Sequence, residues 1–198
     1  MTSRVVPDED GVYIFDKAGR KWRRVVEDGP WVPREDGVYL AYFRNRVCPG
    51  CRAFDELWEE LVEARIEDLR ATPAVVYCNN FFFDCRDKTA SDTFLLFLVN
   101  ATPQVVVMIV EGGDLRYVER GYGFEFENVD DLLRFANEAP ERMKSYAREG
   151  AVEEAGGEEL VVEGRNWKEV VEKLRKLILE GKNVREVCDE RGCRFVVE

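Results

Sequence analysis

The chain contains no histidine in its 198 residues, and that absence removes serine–histidine and cysteine–histidine hydrolases, mixed cysteine–histidine zinc sites and histidine general bases together. Any chemistry must run on cysteine, carboxylate, lysine, tyrosine or the backbone. No apolar run approaches the roughly 18 residues of a membrane span, and residues 1–7 lack the apolar stretch of a secretory signal. A cytoplasmic location with no membrane partner is therefore expected. Positive charge is outweighed: 29 Lys and Arg stand against 40 Asp and Glu, so the net charge is −11, with acidic residues spread along the chain. Phosphate backbones would be repelled, so nucleic acid is not expected as a partner.

Glutamine occurs once, at Gln104, and arginines outnumber lysines, a bias compatible with a heat-adapted, thermophile origin. The composition is otherwise that of a folded protein, 45% hydrophobic and 12% aromatic, which suffices for a real core. Six cysteines are present. An ordinary cytosol keeps structural thiols reduced, whereas hyperthermophile cytosols tolerate disulfides.

Three regions are expected. Residues 1–35 read as an N-terminal β extension: strand-like runs at 12–15 and 21–26 flank Asp16-Lys17-Ala18-Gly19, a hairpin turn composition. Residues 36–140 alternate strand and helix. The apolar run 37–43 predicts a strand buried on both faces. Ala53, Phe54, Leu57, Trp58, Leu61, Val62, Ile66 and Leu69 then recur at helical steps, predicting about five to six turns of amphipathic helix. A second buried strand follows at 74–78, and a helix at 89–98 has Thr89 and Asp92 at capping-box spacing. A hairpin turns at Gly112-Gly113, and Asn128 caps a helix that Pro140 ends. Residues 141–198 read as a C-terminal α/β extension: a polar linker through 157, a strand at 160–163, a helix at about 166–180 and apolar runs around Val187 and Phe195.

Cys48-Pro49-Gly50-Cys51 joins the apolar strand to the amphipathic helix. Cys48 thus falls near the helix N-cap, where unpaired N–H groups and the helix dipole favour thiolate. Pro49 suits the first helical position, since its missing N–H has no partner there. Arg44, Arg46 and Arg52 bring positive charge close in sequence. Cys51, one turn on, can attack a mixed disulfide formed at Cys48 and release the partner. Well downstream, Thr102-Pro103 opens a new strand, where a cis X-Pro bond can present the Thr102 backbone to a peptide.

These features, in this order and spacing over residues 36–139, resemble the thioredoxin superfamily, including its glutaredoxin-type and disulfide-isomerase-type members. The resemblance implies an α/β thioredoxin-like fold, a central mixed sheet flanked by helices, carrying the N-terminal hairpin and the C-terminal extension. It implies Cys48 as nucleophile, Cys51 as resolving thiol, Pro103 as a cis-proline, and Pro49, Gly50, Thr102 and Pro103 as the substrate-binding surface. The expected activity is thiol–disulfide oxidoreduction on protein thiols and disulfides with an unidentified redox partner, without metal or organic cofactor. The alternative is a redox-silent thioredoxin-like scaffold in which Cys48–Cys51 is structural. Two departures stand out: Tyr42 occupies the place of the family's buried aspartate, and Val47 that of the aromatic residue usually preceding the first cysteine. Without that carboxylate, a pair more oxidising than thioredoxin is expected.

The other cysteines leave readings open. Cys78 and Cys85 bracket Asn79-Asn80-Phe81-Phe82-Phe83-Asp84; they are a second exchange pair beside an apolar client surface, or a structural bridge or core thiols. Cys188 and Cys193 flank a four-residue loop, where a cross-strand disulfide would staple the C-terminus. An all-cysteine zinc site is disfavoured because the second pair lacks knuckle-like spacing. The peroxide pocket of a peroxidase is not recognisable. Tyr42, Tyr77, Tyr117, Tyr122 and Trp58 read as packing residues.

Overall fold

The computed structural model describes residues 7–149, 158–159, 166–189 and 192–197. Strands β1 (Gly11–Asp16) and β2 (Lys21–Val25) form the expected hairpin, its turn closed by the Ala18 N–H donating to Asp16 Oδ1 at 3.1 Å. Next come β3 (Gly37–Asn45), α1 (Pro49–Glu63), β4 (Thr72–Cys78), α2 (Lys88–Leu96), β5 (Gln104–Glu111) and β6 (Asp114–Tyr122). A 3-10 turn at Gly123–Glu125 leads to α3 (Val129–Asn137) and α4 (Ala139–Glu149). The remaining elements are β7 (Glu158–Glu159), α5 (Trp167–Leu179), β8 (Val184–Asp189) and β9 (Gly192–Val197).

The main sheet has six strands in the order β2-β1-β4-β3-β5-β6. Only β3 and β4 run parallel, as the α1 crossover between them requires; β1–β4, β3–β5 and β5–β6 are antiparallel. The near-continuous apolarity of β3 and β5 reflects burial on both faces, with residues alternating between two cores. Leu40, Tyr42, Val105 and Val107 face one side, packed with Phe54, Trp58 and Leu61 of α1 and Leu132 and Ala136 of α3. Ala41, Phe43, Val106 and Met108 face the other, packed with Phe94 of α2, Val170 and Leu174 of α5, and Phe195 of β9. Each such fully buried large side chain contributes about 1.5–3 kcal/mol relative to exposure. The C-terminal segment thus completes the second core. Arg175 donates to Asp92 at 2.8 Å, binding α5 to α2, while β7, β9 and β8 form a separate three-stranded sheet.

Several expectations are revised. Helix α1 is 15 residues long and ends at Glu63 rather than running to Leu69. Ile66 and Leu69 keep the helical spacing but are buried from the turns that follow, where the Ala64 and Arg65 N–H groups both donate to Glu60 O. Asp87, not Thr89, caps α2: its side chain accepts from Ala90 N. Thr89 is buried, and its hydroxyl both accepts from Glu27 N and donates to Glu27 O, fastening the segment after β2. Asn128 caps α3 through a capping box with Asp131, as expected, but Pro140 lies in the first turn of α4, where proline is tolerated. The stretch read as linker is therefore helical through Glu149. The strand expected at 160–163 lies outside the described residues. Among those described, no helix is long and apolar enough to cross a membrane.

Candidate active site

The apolar strand β3, interior to the sheet, ends at Asn45, and Cys48 becomes the N-cap of α1 with extended backbone at φ −83° and ψ 114°. That conformation turns its sulfur back over the first helical turn, so Cys48 Sγ accepts from the Cys51 N–H at 3.1 Å, one of the orphan donors of the helix start. On its other side the Cys48 thiol donates to Thr102 O at 3.3 Å. Thr102-Pro103 is a cis peptide bond and immediately precedes β5, which pairs with β3. The sheet thus brings residues 54 positions apart into contact at Cys48.

Pro49 occupies the first turn of α1. A Cβ on Gly50 would lie 3.2 Å from Pro103 Cδ and 3.9 Å from Cys48 Sγ, so glycine permits the close seat of Pro103 against the cysteine loop. The cysteines are unequal: Cys48 is partly exposed, whereas Cys51 is fully buried. Burial first, then the neighbouring Cys48 thiol, pushes the Cys51 thiol up to about 12, against opposing contacts from the Asn45 backbone and the Thr102 hydroxyl. Cys51 therefore holds its proton until something removes it.

Beneath the pair, Tyr42 is fully buried. Its hydroxyl donates, shared between Cys51 O at 3.1 Å and Asp55 Oδ1 at 3.0 Å. Burial raises the Tyr42 hydroxyl well above its ordinary value, so it stays protonated. Asp55 in turn accepts two bonds from Arg44, Nε to Oδ1 and Nη2 to Oδ2, each 2.7 Å. Asp55, one turn beyond Cys51 on α1, thus shares the Tyr42 hydroxyl with the Cys51 carbonyl.

Two of the three arginines are engaged with other partners. Arg44 and Arg46 share the strand face of Tyr42 and stack over the Tyr77 ring, at 4.5 and 5.4 Å from its centroid. Arg44 is committed to Asp55, and Arg46 donates to Tyr77 Oη and Asp8 O. Arg52 is exposed on α1.

Two residues escaped sequence reasoning. Asn45, almost fully buried, donates from Nδ2 to Thr102 Oγ1 at 3.1 Å and accepts the Phe81 N–H at 2.9 Å. It ties the proline loop to the segment between Cys78 and Cys85. Gly123 donates its N–H to Pro103 O at 2.9 Å, and a Cβ there would lie 2.4 Å from Pro103 Cγ. An isolated polar residue at a strand's end and a glycine after a strand were the available signals, and neither names its partner.

Cys78 and Cys85 form a disulfide at the end of β4. Cys188 and Cys193 sit opposite each other in the β8–β9 register, but their side chains lie outside the described residues. Exposed apolar side chains border the cysteine loop: Val47 directly precedes Cys48, and Phe124 follows Gly123 and stacks on Tyr122.

No family model matches the chain, and no curated protein matches it. Among solved structures, a thioredoxin from Aeropyrum pernix is similar with a TM-score of 0.42 and 15% identity, over 69% of this chain and 99% of that one. The strand–cysteine loop–helix unit, its parallel partner β4, and the antiparallel β5 and β6 entered through a cis-proline form a central mixed sheet flanked by helices, the α/β arrangement that the resemblance in the sequence implies.

Proposed function

We propose that this chain is a thiol–disulfide oxidoreductase acting on protein cysteines. The observation that carries the reading is Cys48: partly exposed, at a helix N-cap, its sulfur receiving a backbone N–H and lying against Thr102 O, with a buried second thiol one turn behind. Cys48 thiolate attacks one sulfur of a substrate disulfide, a mixed disulfide forms, and the other substrate sulfur leaves as a thiol. Cys51 gives up its proton and attacks Cys48 Sγ, releasing the second substrate thiol and leaving Cys48–Cys51 oxidised. The reverse sequence oxidises a dithiol. An extended substrate beside Thr102 would meet backbone groups there and apolar contact at Val47 and Phe124, which supports protein over small-molecule partners.

Reduction of insulin by dithiothreitol tests this, comparing the unmutated chain with Cys48→Ser and Cys51→Ser. Acceleration by the unmutated chain alone is expected, and Cys51→Ser should trap clients on Cys48. If all three match the uncatalysed background, the scaffold reading replaces this one.

A further inference from the structure

The second disulfide is strongly asymmetric in its surroundings. Cys78 is fully buried among Val76, Phe94 and the other residues of the second core. Cys85 is only partly buried and lines an open cavity of about 330 Å³ together with Arg86, Lys88, Asp92, Glu172 and Arg175. The lining charges are largely paired with one another, Asp92 holding both Lys88 and Arg175. A nucleophile arriving from solvent therefore meets one sulfur of the bridge, Cys85, while Cys78 is shielded by the core.

The loop closed by this disulfide is also wired to the cysteine pair already described. Arg46 N–H donates to Cys78 O at 3.0 Å and Val47 N–H to Asn79 O at 3.4 Å. Asn45 accepts from Phe81 N–H and donates to Thr102. The two sulfur centres share a backbone seam.

We propose that Cys78–Cys85 is a second thiol–disulfide exchange site, entered at Cys85 by a dithiol reductant. The donor's thiolate attacks Cys85 Sγ, the Cys85–Cys78 bond breaks, and Cys78 leaves and takes up a proton. The donor's second thiol then attacks its own sulfur in the mixed disulfide, and Cys85 is released as a thiol. Two electrons and two protons have passed from donor to pair, and the donor is left as a disulfide.

The test uses the full chain carrying Cys48→Ser and Cys51→Ser, so its outcome does not depend on exchange at Cys48. After dithiothreitol treatment in native buffer, thiols are labelled with iodoacetamide and located by peptide mass. The bridge should open without denaturant, with Cys85 labelled well ahead of Cys78; the unmutated chain, read peptide by peptide, must give the same order. A bridge that opens only in denaturant, or labels both cysteines together, overturns the proposal.

Discussion

Labelling cysteine Cβ with ¹³C and following Cys51 in the reduced protein should show no titration between about pH 7 and about pH 10.5. The perturbation is burial: Cys51 is fully enclosed, and burial together with the adjacent Cys48 thiol moves it from an ordinary 9.0 to about 12. At about pH 8, that lowers its thiolate fraction from about one in ten to about one in ten thousand. Resolution of a mixed disulfide at Cys48 by Cys51 should still accelerate with pH above about pH 7, because burial goes on raising the Cys51 thiol after the Cys48 thiol is consumed, read in a single-turnover release of a labelled thiol. The same shift fixes the sign of a stability effect. The folded state holds this proton more tightly than the unfolded chain, so the contribution is intact below 9.0 and is lost as pH rises toward 12. The loss is at most about 1.4 kcal/mol per pH unit. A Cys51 midpoint below about 10, or a resolution rate indifferent to pH, would refute the reasoning and point to a built-in base.

Gly123→Ala places a methyl 2.4 Å from Pro103 Cγ, so the proline loop must shift; thermal unfolding should report a loss of about 1–3 kcal/mol, and insulin turnover should fall with it. Arg44→Met leaves the half-buried Asp55 carboxylate without its two-bond partner, and should cost about 2–3 kcal/mol, lowering Tm by about 4–12 °C. An unchanged Tm would show that water replaces the arginine.

Local pattern was enough to read much of this protein. The apolar run of β3, the helical spacing after Cys51 and the placement of Cys48 at their junction all follow from near-neighbour rules: period two against period 3.6, orphan N–H groups at a helix start, proline's missing donor. Asn128 could be named as a cap because its partners lie within three residues. The choice of Asp87 over Thr89 could not, because Thr89 is claimed by Glu27 from 62 residues away.

Tertiary structure alone decided what each site residue touches. It brought Thr102 to Cys48, Gly123 to Pro103, and Asn45 between Thr102 and Phe81, all contacts across strands whose pairing no local spacing encodes. It paired Cys78 with Cys85, and it committed Arg44 to Asp55. Sequence distance sets which charges are close along the chain. The pleat of β3 and the direction of α1 set which are close in space, and at a buried thiol the spatial neighbours govern the chemistry.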